Sequence, residues 1–133
     1  TLFSDVTRGD KDNFAALITD PNSFWIEVYA AGVLVGLVYF TEMQSQFDCA
    51  AHLIFFDRKP REKTELCKQI AQWMFDRFPL NRITATIPAI YHMTLRLATA
   101  IGFKREGVKR QSQLMGNKWV DEVIFGLLRS EMR

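Results

Sequence analysis

The stretch from His52 to Phe78 constrains the fold of this chain more than any other. Its apolar run Leu53, Ile54, Phe55, Phe56 is too short for a helix that must stop at Pro60, and it reads as a strand buried on both faces. Asp57 to Lys63 follow as a charged turn. From there Leu66, Ile70, Met74 and Phe78 recur every fourth residue, one apolar stripe along a helix that faces a sheet. A strand that ends in a turn and feeds a helix N-terminus is a common place for α/β proteins to hold an anionic ligand. The first-turn N–H groups have no intrahelical partner there, and the helix dipole favours negative charge.

With 133 residues, the chain is expected to form a single domain over 1–133 and to bury a core without disulfide or metal staples. Hydrophobic residues at 48% and charged residues at 24% are a globular balance, neither disordered nor fibrous. A net charge of +2 is too small to argue for nucleic acid. Cys49 and Cys67 lack the Cys-x-x-Cys spacing and read as reduced, buried thiols of a cytosolic type of protein. With His52, His92 and Asp48 they make no metal-ligand spacing. No apolar run is long enough to span a bilayer and nothing at the start resembles a signal peptide, so a cytoplasmic location without membrane contact is expected.

Thr1 to Val6 reads either as a short strand or as a loose arm. Asp10 is placed to cap a helix carrying Phe14, Leu17 and Ile18, with Asp20-Pro21-Asn22 as its stop. Phe24 to Ala30 and Val33 to Thr41 form a hairpin around Ala31-Gly32, and the polar Glu42 to Gln46 turn into a third strand, Phe47 to Phe56. After Pro79-Leu80-Asn81, Ile83, Ala85 and Ile87 alternate with Arg82, Thr84 and Thr86 as a half-buried strand that Pro88 ends. A helix from about Tyr91 to Ala100 turns Tyr91, Leu95, Ala98 and Ile101 inward, and Gly102 suits the C′ position. Phe103 to Gln113 and Lys118 to Leu128 close the chain as two strands around Gly116-Asn117. This order predicts an α/β fold with a mixed sheet.

Three features of the second half resemble the GCN5-related N-acetyltransferase (GNAT) superfamily, in particular its ribosomal-protein N-terminal acetyltransferase branch. They are Ile101-Gly102-Phe103-Lys104-Arg105-Glu106-Gly107, Trp119-Val120-Asp121 before the last strand, and the spacing from Phe75 through Arg82-Ile83 to Phe103. The resemblance spans roughly Gly32 to Leu128. It implies a mixed, mostly antiparallel central sheet of about six or seven strands flanked by helices. It also implies acetyl-CoA as the acyl donor and an amine as acceptor: a protein N-terminus, a peptide or a small amine. In that family the strand before the central turn splays from its neighbour, and its free backbone groups grip the pantetheine arm and polarise the thioester. Here that role falls on Phe55 and Phe56.

The family's next turn, Gln/Arg-x-x-Gly-x-Gly/Ala, wraps the pyrophosphate with backbone N–H groups. The resemblance puts the phosphates on Arg58 to Thr64, that is Arg58, Lys59, Arg61, Glu62, Lys63 and Thr64. Arg58 matches the leading position, but the two small positions fall on Arg61 and Lys63, whose side chains crowd the close approach that glycine permits. The family's helix Asn falls on Tyr91, its Ser partner on Thr94, and its general-acid Tyr on Ala98. Glu42, Asp48 or His52, acting through water, are the alternative candidates for the base that takes the proton from the amine.

Each candidate also has a plainer role. Arg58, Lys59, Arg61 and Lys63 either replace the backbone cradle with side-chain charge or form a solvated turn partly neutralised by Asp57, Glu62 and Glu65. Among Ala51, Leu53 and Ile54, His52 is more often a satisfied core or edge residue, and Glu42 and Asp48 are ordinary acidic turn residues. His92 is an ordinary surface residue at a helix start. Tyr91 is either a replacement acid or a plug in a disused cofactor groove. Two functions therefore stand side by side. One is an N-acetyltransferase. The other is a catalytically inactive member of the fold that binds a protein partner, of the type that serves virion assembly in phage-encoded relatives. Nucleic-acid binding through Lys104, Arg105, Lys109 and Arg110 is disfavoured, because alternation splits them between two faces of a strand.

Overall fold

The computed structural model describes residues 22–43, 47–55 and 63–132. The readings for residues 1–21 and for the turn 56–62, with Phe56, Arg58, Lys59, Arg61 and Glu62, lie outside them. Among the described residues the elements are β1 (Phe24–Ala30), β2 (Val33–Thr41), β3 (Ala50–Phe55), α1 (Lys63–Arg77), β4 (Arg82–Pro88), α2 (His92–Ile101), β5 (Lys104–Met115) and β6 (Lys118–Leu128). The strands form one six-stranded sheet in the order β1-β2-β3-β4-β6-β5. Only β3 and β4 are parallel neighbours, and every other pair is antiparallel. No described helix is long and apolar enough to cross a membrane.

The local chemistry accounts for most of these elements. Ala31 and Gly32 both take positive φ, 52° and 79°, which gives the β1–β2 turn the twist that a two-residue hairpin needs. Alternation in β4 holds as read: Ile83, Ala85 and Ile87 are buried, while Arg82, Thr84 and Thr86 are half-exposed on the other face. Gly102 ends α2 with φ 119°, and its N–H reaches the carbonyls of Ala98 and Thr99 while Phe103 N–H also reaches Ala98. Side-chain capping fixes the end of the sheet too. Arg129 donates from Nε to the Leu80 carbonyl at 2.7 Å and from Nη2 to that of Phe78 at 2.6 Å, holding the chain where it leaves α1.

Several boundaries and faces differ from the sequence reading. The third strand starts at Ala50, not Phe47, because the Phe47 carbonyl accepts the N–H groups of Asn81 and Arg82 and so ties this stretch to the start of β4. Of the run read as buried on both faces, 54–56 lie outside the residues whose burial is described. Ala51 and Leu53 turn toward the core and His52 to the opposite face, and all three are half-buried. The stripe on α1 is wider than Leu66, Ile70, Met74 and Phe78. The neighbouring row Cys67, Ala71 and Phe75 is buried beside it, as expected when a helix lies flat on a sheet, and Leu66 and Phe78 sit at the rim. α1 stops at Arg77, α2 runs from His92 to Ile101 with Tyr91 as its N-cap, and β5 spans Lys104–Met115.

One continuous core lies between the sheet and the two helices. It joins Val38 and Phe40 of β2 to Ile70, Met74 and Phe75 of α1, to Ala98 and Ile101 of α2, and to Ile83, Val123, Phe125 and Leu127 of β4 and β6. Cys49 and Cys67 belong to it as free thiols. Burial pushes the Cys49 thiol up to about 12, with the adjacent Asp48 carboxylate adding to the effect. Burial pushes Cys67 up to about 11, partly offset by Lys63.

Two outcomes follow. In the folded protein at pH 8 both cysteines are protonated, so a disulfide exchange reagent labels them at least about a hundredfold more slowly than in denaturant, where both react. Gly102→Ala forces a side chain into a left-handed backbone and lowers stability by about 1–2 kcal/mol in urea denaturation, with the m-value unchanged.

Candidate active site

The central feature is the way β3 and β4 part. They run side by side and parallel, yet share one registered pair, Ala50 with Thr84. Thr84 N–H donates to the Cys49 carbonyl at 2.8 Å. On their outer sides both strands are fully laddered: β3 with β2 from Ala50 to Phe55, β4 with β6 from Arg82 to Pro88. Past the single shared pair, the facing edges of residues 51–55 and 85–88 form no ladder with each other. Backbone N–H and C=O groups exposed in the middle of a sheet demand partners, and an extended ligand with amide groups can supply them as a strand would. Since β3 and β4 point the same way, the connections 56–62 and 89–91 leave from the same end of the sheet, the open end of the cleft.

The face of the sheet away from α1 and α2 carries polar side chains around this cleft. His52 stands on β3 two residues beyond the shared pair, and Thr86 stands two residues beyond it on β4. The His52 ring is held in place. Its Nε2 lies 3.1 Å from Thr41 Oγ1, and it stacks at 4.8 Å on Tyr39, which in turn stacks at 4.2 Å on Trp25. Trp25, Tyr39 and His52 are direct cross-strand partners on β1, β2 and β3, so the strand register itself builds this row.

Of the other base candidates, Asp48 lies at the closed end. Both its carboxylate oxygens accept from the Thr84 hydroxyl, at 2.9 and 3.0 Å, and Arg82 Nε is 3.7 Å from Oδ2. Glu42 follows β2 at the same end, exposed and with φ 58°. Among the cofactor candidates, Phe55 ends β3 opposite Gly36, and Lys63 and Thr64 open α1, half-buried. Tyr91 is half-buried against the core at the start of α2 and makes no side-chain cap, while Thr94 is half-buried in that helix's first turn. His92 is exposed, as expected.

Sequence reasoning passed over Arg82, Thr84 and Glu106. Arg82 Nε also donates to Thr84 Oγ1 at 3.1 Å, and its Nη2 bonds Glu106 on β5 across Gly126 of β6. Glu106 reaches Arg82 because it is the extra residue of a bulge, Arg105 facing Phe125 and Gly107 facing Ile124. Arg82 and Thr84 were legible as the polar face of a strand; their partners depend on long-range register.

No protein-family model matches the sequence, and no curated protein matches it by sequence. Solved structures do resemble it. The spermidine N-acetyltransferase from Vibrio cholerae in complex with CoA and spermine is 16% identical and superposes with a TM-score of 0.80 over 96% of this chain and 78% of its own. A GNAT-family acetyltransferase from Bacillus anthracis is 22% identical, with a TM-score of 0.73 over 91% of this chain and 75% of its own. A third structure, a probable acetyltransferase, is 18% identical with a TM-score of 0.77 over 94% and 72%. At such identities the likeness is one of architecture, and it agrees with the parted central strands: this chain has the fold of the GCN5-related N-acetyltransferases.

Proposed function

We propose that this protein is an acetyl-CoA-dependent N-acetyltransferase whose acceptor is an amine. The observation that supports the reading is that β3 and β4, parallel neighbours, share no ladder beyond Ala50 and Thr84, where the pantetheine amides of CoA can pair between them as a strand would. The residues fit the cofactor in kind. Backbone of 51–55 through Phe55 is proposed to grip the arm and Lys63 and Thr64 at the head of α1 the phosphates, with Arg58, Lys59 and Arg61 of the preceding sequence as further candidates. Phe56, Glu62, Tyr91 and Thr94 complete the proposed contact set. Bound there, acetyl-CoA supplies the acetyl group as an activated thioester.

His52 is the best of the three base candidates. Glu42 and Asp48 sit at the closed end of the cleft, and the Asp48 carboxylate is already taken up by Thr84 and Arg82. His52 alone stands past the last shared pair, on the polar face. The Thr41 bond with the Tyr39 stack holds the ring at a fixed angle for taking the amine proton directly or through water. The acceptor extends from a small polyamine, which the Vibrio cholerae relative carries in its structure, to a protein or peptide N-terminus. A second reading is favoured by one observation: at the head of α2, where the resemblance expects an Asn that holds the cofactor, Tyr91 packs against the core instead. On that reading the fold is an inactive module for interaction or assembly.

Calorimetric titration of CoA and acetyl-CoA separates the two. The enzyme reading expects micromolar binding, weakened about tenfold by Lys63→Ala or Arg61→Ala. With an amine panel of polyamines and short peptides, His52→Ala lowers kcat by about 10²–10⁴-fold while CoA affinity stays within about twofold. No heat at millimolar ligand would overturn the acetyltransferase and leave the interaction module.

A further inference from the structure

The closed end of the cleft is joined by more than its one backbone pair. Asp48, two residues before Ala50, accepts the Thr84 hydroxyl with both carboxylate oxygens. Thr84 is the β4 partner of Ala50, so this bond lies on the last point of contact between the two strands. The same hydroxyl oxygen accepts from Arg82 Nε, whose guanidinium also lies near Asp48. From there Arg82 reaches over Gly126 to Glu106. A Cβ at 126 would come within 2.5 Å of both Arg82 Nη2 and Glu106 Oε2, so glycine is what lets the ion pair lie flat on β6. The line of side chains thus runs from the head of β3 across β4 and β6 to the bulge on β5.

These groups form a partly exposed network. The Arg82 side chain is 29% exposed, and the Asp48 and Glu106 side chains 40%. Arg82 is held charged above its ordinary range, first by the Glu106 hydrogen bond. Every polar atom of Thr84 is used: its proton goes to Asp48, and its oxygen accepts from Arg82. The two strands share one ladder step and then diverge, and on the closed side of that step the Phe47 carbonyl also accepts the N–H groups of Asn81 and Arg82. The Asp48–Thr84 bond adds a side-chain tie across the seam at that step, and the Arg82–Glu106 bond anchors Arg82, its neighbour, within the β4-β6-β5 half.

We propose that Thr84, with Asp48 and Arg82, is a positioning device that fixes the angle at which β3 leaves β4, and with it the width of the cleft. Its consequence for ligand rests on the acetyltransferase reading: a cleft of the wrong width offers the pantetheine arm only one of its two walls. Its consequence for the protein does not rest on that reading.

The test uses the full chain with Thr84→Val, which keeps the β-branched shape and removes the hydroxyl, and with Thr84→Ser, which restores it. Gly126→Ala, which keeps every member of the network but displaces Arg82 from Glu106, is a second probe. Hydrogen exchange by mass spectrometry and CoA titration are read on each. Thr84→Val is expected to speed exchange in residues 49–55 and 84–88 while α1 and β6 keep their protection, and to weaken CoA binding about tenfold. Thr84→Ser returns both to wild type, and Gly126→Ala shifts both in the same direction by less. Unchanged exchange at the cleft edges in Thr84→Val overturns the proposal, as does a rise spread evenly over the sheet or failure of Thr84→Ser to rescue. Absence of CoA binding by the wild type overturns the enzyme reading alone, and the exchange arm still decides on the clamp.

Discussion

Two parallel strands that part in the middle of a sheet are a structural cost that the rest of the molecule must meet. The half-sheets β1-β2-β3 and β4-β6-β5 share one backbone pair, so the ladder that would normally bind neighbours at the centre is missing beyond Ala50 and Thr84. The helices make up the difference. Ile70, Met74 and Phe75 of α1 pack in one cluster with Val38 and Phe40 from one half and Ile83, Phe125 and Leu127 from the other. Each such side chain contributes about 1.5–3 kcal/mol on full burial, against a net of about 0.5–1.5 kcal/mol for a ladder hydrogen bond. A handful of shared core residues therefore outweighs the few lost ladder steps. The sheet can open at its centre because the core on its other face does not.

This division of labour gives the two faces different characters. The helix-covered face is apolar and continuous. The opposite face carries two polar constructions, one in each half. In β1-β2-β3 the row Trp25, Tyr39, His52 is built by cross-strand register, and stacking of such pairs adds about 0.5–1.5 kcal/mol each beyond area. In β4-β6-β5 the row Arg82, Gly126, Glu106 is built around the absence of a side chain. Asp48 belongs to the first half and bonds the second, which makes it the polar link between them.

Much of this was legible in the sequence, and the limits are instructive. The hairpin at Ala31-Gly32, the alternation of Ile83, Ala85 and Ile87, and the glycine end of α2 are local signals, read from turn chemistry and period. What stayed hidden depends on pairing between distant segments. That β3 and β4 part beyond Ala50 is one such feature, since a run of Leu53, Ile54, Phe55 and Phe56 reads the same whether or not its neighbour ladders to it. Asp48 read as an acidic turn residue because its partners, Thr84 and Arg82, lie more than thirty positions away. Glu106 sat inside a motif read for its resemblance, and only the bulge reveals that it aims at Arg82.

The proposed phosphate end raises the opposite problem, a local signal that is easy to read and hard to interpret. A helix dipole disfavours cations in its first turn, yet α1 begins with Lys63 and follows a basic segment, with Glu65 the one acid of that turn. Such a placement weakens the helix unless an anion sits there to be shared. A glycine-lined turn binds phosphate through backbone N–H groups and asks nothing of side chains, whereas a cationic turn binds through flexible, strongly hydrated groups that lose entropy when they close on the ligand. The first arrangement can be rigid only at the phosphates. The second needs rigidity elsewhere, because mobile side chains do not fix where the rest of the ligand lies. In this fold that rigidity is available at the other end of the cleft, where Asp48, Thr84 and Arg82 hold the strands at their last point of contact.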